Sequence, residues 1–385
     1  MSNSWQKAYT ELGNFVAGNP RIEIGRSVIV IPGDVRPEFY RLFGTVRVAF
    51  LEEKFPALLD EAKTLSRSYT TVEEEAIKLL GLADVETSAR LNWFLRDPVN
   101  GLIRGLFDLL FDLLKGKIDA ETFEQGASRN IESSFKDLYR SGYEKWVALS
   151  LVKLLASDKT FNVTPPEFAP EQEMFQIGRE EPVPDPKESQ RLSFEHGTSP
   201  AFIVPDFIVH SAKINRYVAI RTELGDAVFT AKDATEKREW YSLNSIRAKY
   251  GSVTLRPNLT IYVDDKLEDI ALIADMGRIC RPDLIIECME QKGWPEKEGL
   301  EKVMLHHDIL KPRLGTYIVS REPVPEEVYK ELVPEEVPQE PTPQQEPEKR
   351  GEDIHILTVG FDQSQLAPII DVLSNHKNTD EPKNQ

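Results

Sequence analysis

The sequence predicts a mixed α/β fold with a helical N-terminal domain. Helical spacing of apolar residues dominates residues 1–140, and short apolar runs alternate with helical patterns in residues 141–322. A length of 385 residues is enough for two or three domains. We therefore expect a mainly helical domain over 1–140 and an α/β core over 141–322.

The composition is that of an ordinary globular protein, with 40% hydrophobic and 29% charged residues. No apolar run approaches the ~20 residues that span a bilayer, and the N-terminus lacks the pattern of a secretory signal. The two cysteines, Cys280 and Cys288, are too few for a disulfide framework and are expected to be reduced core thiols. These observations favour a cytoplasmic protein with no membrane partner.

The formal net charge of −17 argues against a simple nucleic-acid-binding protein, because phosphate binding depends mainly on cations. The charge is uneven, since residues 321–385 hold 15 acidic and 6 basic residues, a net of −9. A nucleic-acid partner is therefore disfavoured by charge, whereas a protein partner is compatible with it.

The N-terminal elements follow from apolar spacing and from helix breakers. We expect a helix over 4–16 and a short strand pair over 21–34. The helical pattern of residues 37–65 should be broken at Gly44 and Pro56.

Two further helices are expected before residue 120. Thr70 or Thr71 should cap the first, with residues 73–75 placing glutamates where the helix dipole favours them. Segment 101–116, the most apolar in the chain, predicts one buried helix with a polar stripe that begins at Arg104. The alternative, a helix that docks on a partner or a membrane, is disfavoured by the acidic residues of that stripe.

Helices and strands alternate after residue 140. A helix over 143–158 and a strand over 160–163 precede a Pro-rich insertion over 164–191, and a hairpin over 201–224 follows it. The remaining elements are a helix over 233–251, a strand over 252–265, a helix over 266–280, a strand over 283–288, a helix over 297–310 and a strand over 315–320.

The C-terminal region begins with a Pro- and Glu-rich stretch over 323–352, which is expected to be a disordered linker. Residues 353–385 predict a strand, a helix and a tail, with Asp362 or Ser364 at the helix cap.

Acidic residues mark the mid-chain helix and hairpin. Glu144 lies on the helix, Asp206 follows a proline at a strand start, and Arg221-Thr222-Glu223 ends the next strand. This order, over residues 140–265, resembles the core of the PD-(D/E)xK nuclease superfamily. The resemblance implies a restriction-endonuclease-like sheet in which Glu144, Asp206 and Glu223 are catalytic. Asp206 and Glu223 would then hold Mg²⁺ for phosphodiester hydrolysis.

The triplet departs from the family pattern, which has an acidic residue first and a lysine last. Arg221 would repel a metal ion, and Glu223 cannot replace an ammonium group. Glu223 could ligate the metal from a shifted register, or Lys232 could reach back from the next helix. The site is therefore expected to be degenerate.

A second register resembles the same motif. It uses Asp269 as the metal ligand and Glu287-Cys288-Met289 as the triplet, which keeps the acid and replaces the lysine by Met289. The apolar spacing of residues 267–279 is more helical than alternating, so the first register is preferred.

Each candidate also has a purely structural interpretation. Asp206, which follows a proline, could serve solely to shape the start of a strand, and Glu144 could be a solvated helix residue. Glu287, inside an apolar strand, needs a partner if it is buried. His306 and His307 are adjacent on a helix and point about 100° apart, so they do not chelate one metal together.

Two functional hypotheses follow. The first is a nuclease-like protein with a degenerate metal-dependent site that binds nucleic acid or a partner, using Mg²⁺ if it is active. The second is a non-catalytic intracellular interaction or scaffold protein that recruits partners through its helical domain and its Pro/Glu-rich linker. Convergence of the candidate carboxylates would favour the first, and dispersion would favour the second.

Overall fold

The fold is a mixed α/β arrangement with helices at the N-terminus and one large sheet, which confirms the predicted class. The chain divides into two compact units: a helical unit, Met1–Thr71 with Ser88–Tyr143, and a sheet unit, Val72–Thr87 with Glu144–Gln385. The computed structural model describes residues 4–25, 27–165, 184–195, 202–222, 240–250, 256–275, 278–295, 297–332 and 353–375.

Amphipathic helices build the helical unit. The first buries Trp5, Ala8 and Leu12, which lie at i, i+3 and i+7 on one face. The elements are α1 Trp5–Gly18, β1 Glu23–Ile24, β2 Ile29–Val30, α2 Arg36–Lys54, α3 Pro56–Leu80, α4 Ala89–Arg96, α5 Pro98–Ile103, α6 Phe107–Leu114 and α7 Ala120–Leu154, of which α3 and α7 continue into the sheet unit.

Aromatic packing joins α1, α2 and α7. The ring centroid of Trp5 lies 5.8 Å from that of Phe50 and 5.2 Å from that of Phe123, and all three side chains are buried. The indole Nε1 donates a hydrogen bond to Glu124 Oε1 at 3.0 Å, so the polar atom of the buried Trp5 is satisfied. These contacts fix how the three helices pack.

Pro56 ends the first helical stretch as predicted, but Gly44 does not interrupt it. α2 runs through Gly44, and burial of Phe39, Phe43 and Val46 on the same helix outweighs the ~1 kcal/mol that a helical glycine costs.

The predicted helix start at Thr70 or Thr71 is wrong. Both threonines lie inside α3, which begins at Pro56 and continues to Leu80. Its buried Tyr69 and Val72 continue the apolar face across the expected cap, so tertiary packing overrides the local capping signal.

Segment 101–116 is not one helix. Asp97 caps α5 by accepting from the backbone N–H of Asn100 at 3.0 Å, and a 3-10 turn over Arg104–Leu106 separates α5 from α6. Gly105 lies against Asn130 of α7, whose amide donates to the Gly105 carbonyl at 3.3 Å, and a Cβ on Gly105 would collide with that side chain. Phe107, which was expected to be buried, is 37% exposed.

An eight-stranded mixed sheet organises the sheet unit. Its strand order is β16-β15-β14-β11-β9-β8-β4-β5. The strands are β4 Ser157–Thr164, β5 Asp185–Glu188, β8 Phe207–Ser211, β9 Arg216–Thr222, β11 Leu259–Asp264, β14 Leu284–Met289, β15 Thr316–Ser320 and β16 Ile354–Thr358.

Strand direction changes across this sheet. β8, β9 and β11 are antiparallel to their neighbours, and β14 is antiparallel to β11, which confirms the predicted hairpin over 201–224 for β8 and β9. The helix α9, Lys297–Leu310, then crosses over to β15, which is parallel to β14. β16 adds a further parallel strand, so the C-terminal strand belongs to the main sheet.

A smaller sheet has the order β10-β13-β12-β7. The predicted helix over 266–280 is wrong, because this stretch forms a 3-10 turn, Glu268–Ile270, followed by two strands of the smaller sheet. The remaining elements are β3 Asp84–Glu86, β6 Arg191–Ser193, β7 Phe202–Ile203, β10 Trp240–Ser242, β12 Ala274–Asp275, β13 Arg278–Cys280, α8 Leu243–Tyr250, α10 Glu326–Leu332 and α11 Ala367–Asn375.

Regular structure occurs within both segments that were expected to be linkers. β5 falls inside the predicted insertion, and α10 falls inside the predicted tether, while residues 166–183 and 333–352 lie outside the described residues. Asp362 accepts from the backbone N–H of Ser364 at 3.0 Å, which confirms the cap expected before the last helix.

Both cysteines are free and buried, as predicted. Over the described ranges, no helix combines the length and the apolar character that a membrane crossing requires.

Candidate functional site

Four Pro-Asx pairs stand at strand starts of the large sheet, and three of them cap neighbouring strands; the fourth, Pro184-Asp185, begins the edge strand β5. The three capping residues are Asp206 before β8, Asn258 before β11 and Asp283 before β14. In each case the adjacent strand extends beyond its regular pairing, and the side-chain oxygen accepts the hydrogen bond from the backbone N–H that a strand carbonyl would otherwise accept. The oxygens accept from the backbone N–H groups of Thr222 at 3.0 Å, Cys288 at 2.9 Å and Val263 at 2.7 Å, respectively.

Asp206 and Asn258 lie at the same end of the sheet. β8 and β11 both run antiparallel to β9, so their starts lie beside its end. Leu259 pairs with both Thr222 and Ile286, which places Asn258 opposite Glu287. The end of β9 and the end of β14 therefore flank the start of β11.

Asp206 is buried and already saturated with hydrogen bonds. Its Oδ1 accepts from Arg221 Nη1 at 3.1 Å, and its Oδ2 accepts from the N–H of Thr222 at 3.0 Å and from the Thr222 hydroxyl at 2.5 Å. Its side chain is inaccessible to solvent, and that of Arg221 is 11% exposed. Asp206 shapes the entry of β8, and the adjacent guanidinium compensates its charge.

Glu144 is fully buried, so the interpretation as a solvated helix residue is wrong. Its Oε1 accepts a hydrogen bond from the Asn258 amide, and Lys145 Nζ lies 3.7 Å from its Oε2. Because Asn258 also accepts from the N–H of Cys288, this one amide connects helix α7 to strand β14.

Glu287 has the partner that its burial requires. Its Oε1 lies 2.6 Å from Nδ1 of His306 on α9, and both side chains are at most 1% exposed. Its second oxygen, Oε2, is buried and has no hydrogen-bond partner among the described residues. The pair links β14 to the helix that follows it.

Cys288 lies between these acidic groups. Burial raises the pKa of its thiol well above the ordinary value, and the nearby carboxylates of Glu144, Glu287 and Glu290 raise it further, against the opposing effect of Lys145. The thiol therefore stays protonated near neutral pH and is unsuited to be a nucleophile.

The structure thus brings together residues from both of the motif registers that the sequence suggested. The structure connects Glu144 of the first register with the strand of Glu287 from the second, through Asn258. Glu223 lies outside the described residues. Asp269, which falls in the predicted helix over 266–280, lies in the 3-10 turn after the far end of β11, whereas Glu287 faces the start of β11.

Sequence reasoning missed Asn258, although a signal for it was present. Pro257-Asn258 precedes an apolar run in the same way as Pro205-Asp206 and Pro282-Asp283 do. The repeated Pro-Asx pattern identifies all three strand starts.

These residues do not fit a Mg²⁺ site. The cation takes several carboxylate, carbonyl or water oxygens in a near-octahedral shell. Both oxygens of Asp206 are engaged, and a guanidinium lies beside it. In the described part of the chain, no group of three or more His, Cys, Asp or Glu side chains is arranged to hold a metal ion.

The fold and this cluster define a mixed α/β protein with a buried polar network at one end of its large sheet. No protein-family model, curated protein or solved structure matches the chain.

Proposed function

We propose that the chain is a nuclease-like protein whose metal-dependent phosphodiesterase site is degenerate, and that it acts by binding nucleic acid or a partner protein without hydrolysis. The ion pair between Asp206 and Arg221 carries this proposal. The guanidinium of Arg221 occupies the position beside Asp206 that Mg²⁺ would need, so its positive charge repels the metal ion.

The order of elements supports the nuclease-like part. α7 precedes the antiparallel strands β4, β8, β9, β11 and β14 of the large sheet, and α9 and the parallel strand β15 follow them. A helix, antiparallel strands, a second helix and a parallel strand are features of the core that the sequence resembles. The glutamate on α7 and the one on β14 are connected near the same end of the sheet.

The substituted side chains support the degenerate part. An active site of this kind would have an aspartate opposite Glu287, but this position is occupied by the neutral amide of Asn258. Met289 occupies the position of the lysine that would orient the attacking water. An amide supplies neither the charge nor the spare lone pairs of a carboxylate, because its oxygen already accepts from Cys288.

A nuclease assay tests the proposal. The full chain and Asp206→Ala would each be incubated with single-stranded and duplex DNA and RNA in the presence of Mg²⁺ or Mn²⁺. We expect no cleavage above the buffer control from either protein. Metal-dependent cleavage by the native chain that disappears in Asp206→Ala would show that the site is active.

Thermal unfolding gives a second, independent measurement. A ligand that binds only the folded state raises Tm in proportion to RT ln(1 + [L]/Kd). We expect millimolar Mg²⁺ to leave Tm unchanged. A Tm increase with Mg²⁺ that is lost in Glu287→Gln would establish a metal site and would contradict the electrostatic basis of the proposal.

A further inference from the structure

The helical unit carries exposed aromatic and guanidinium groups that the sheet core does not use. Trp93 is 58% exposed, Tyr40 is 41% exposed and Phe107 is 37% exposed. Together with Arg47 and Arg104 they form what we call the aromatic-arginine strip. Large exposed aromatic side chains that cluster in this way mark binding surfaces more often than isolated ones do.

Two groups of ring contacts, joined by the spacing of Arg104 and Phe107, make up the strip. Arg104 Cζ lies 4.7 Å from the Trp93 ring centroid, and Phe107 follows Arg104 by one turn. The Phe107 ring is nearly parallel to that of Tyr40, with 6.4 Å between centroids and 13° between planes. Arg47 Cζ lies 5.6 Å from the Phe107 centroid. The strip thus alternates aromatic faces with cations.

The two guanidinium groups lack anionic partners. Over the described ranges, the guanidinium groups of Arg47 and Arg104 form no hydrogen bond or ion pair, and Arg47 Nε is buried with no acceptor. Burial lowers the pKa of Arg47 below its ordinary value, which shows that its charge is partly desolvated. A bound anion would supply the acceptors that these donors lack.

The helices that carry the strip are close to neutral in an acidic chain. Residues 36–54 and 89–114 contain seven basic and six acidic residues, a local net of +1, whereas the whole chain carries −17. Glu38 is paired with Arg41, and Asp112 is paired with Lys117. The strip therefore lacks the strong negative charge that repels a polyanion elsewhere in the chain.

We propose that the aromatic-arginine strip binds single-stranded nucleic acid. Unpaired bases would stack on Trp93 and Tyr40, and phosphates would contact Arg47 and Arg104. A duplex keeps its bases stacked inside, and an acidic peptide would engage only the two cations. This inference rests on the proposed binding function and names its ligand class. Because the strip lies in the helical unit, it is tested separately from the degenerate site of the sheet unit.

Fluorescence anisotropy of a labelled oligothymidylate at low salt tests the proposal on the full chain. We expect binding that weakens on the order of tenfold or more in Trp93→Ala and in Tyr40→Ala, because stacking on one aromatic ring contributes this much. Arg104→Gln should weaken binding and reduce its salt dependence. Tyr329→Ala is the matched control, since Tyr329 is 43% exposed on α10, outside the strip.

Three outcomes would overturn the proposal. They are the absence of binding at low salt, equal binding by Trp93→Ala and Tyr329→Ala, and duplex binding as tight as single-strand binding. If a poly-glutamate peptide binds and Trp93→Ala weakens that binding to the same extent, the ligand of the strip is an acidic peptide and not nucleic acid. Circular dichroism would verify that each variant is folded, and the nuclease assay reports on the sheet core alone.

Discussion

Glu287 Oε1 lies 2.6 Å from His306 Nδ1, and this fully buried pair joins β14 to α9 within one strand-helix-strand crossover. A carboxylate in such a site is stable only with a donor beside it. The pair therefore serves as a specific attachment of α9 to the sheet.

Removal of the imidazole should be strongly destabilising. We expect His306→Leu to lower the free energy of unfolding by about 3–5 kcal/mol, because it leaves Glu287 buried without a partner. Urea denaturation followed by circular dichroism measures the change.

The double variant Glu287→Leu/His306→Leu is the informative control. It removes both polar groups and should recover much of the loss, since a buried polar pair and an apolar pair often differ little. His355→Leu, on an exposed side chain whose ring centroid lies 4.8 Å from that of Tyr317, should change stability by no more than about 1 kcal/mol. If the double variant is less stable than His306→Leu, the unpaired Glu287 carboxylate is not the cause of the loss.

Arg221 should matter to the fold far more than a surface arginine. Arg221→Leu removes the guanidinium that pairs with the buried Asp206 carboxylate, and we expect a loss of about 3–5 kcal/mol in the free energy of unfolding. Arg41→Leu, which breaks the exposed pair with Glu38, should cost at most about 1 kcal/mol. Equal denaturation midpoints for the two variants would show that the Asp206 pair is not structural.

His307 should make stability depend on pH. Burial lowers its pKa below 6.5, and Asp308 and Asp353 oppose this only in part. Below about pH 6.5 the unfolded chain therefore binds the proton more readily than the folded chain, so stability falls as the pH decreases toward the folded pKa. His307→Gln should lose less stability than the native chain on acidification from pH ~7.5 to ~5.

The measurement is the urea midpoint at both pH values. His355→Gln serves as a control, because that side chain is exposed. If the native chain and His307→Gln lose the same stability on acidification, the burial of neutral His307 is not the cause.

Deletion of residues 353–385 should expose a sheet edge. β15 is buried along its whole length and pairs with β16, so its backbone N–H and C=O groups would become available to other chains. We expect self-association, measured by size-exclusion chromatography with light scattering. Deletion of residues 376–385 keeps β16 and should elute like the full chain, and identical profiles for both deletions would refute the prediction.

Elements with strong local patterns were predictable from the sequence. α9 has the predicted bounds, and the strands around Glu287, Tyr317 and Ile356 lie where apolar runs indicated them. Predictions from apolar spacing were wrong where tertiary packing determined the local structure. The apolar spacing of 267–279 resembles a helix, yet its residues fill the core beside Tyr262 as short strands.

The candidate site was predictable only in part. Glu144, Asp206 and Glu287 could be selected as acidic residues beside apolar runs, but their partners could not, because the partners are distant in sequence. Asn258 is 114 residues from Glu144, and His306 is 19 residues from Glu287.

The sequence by itself determined the α/β class, the buried free cysteines and the bounds of α9, because these depend on local composition and on short-range apolar spacing. Only the tertiary structure decided that Arg221 neutralises Asp206 and that Asn258 connects Glu144 to β14. The reason is that sheet register, which is set by packing along the whole length of several strands, determines which side chains face each other.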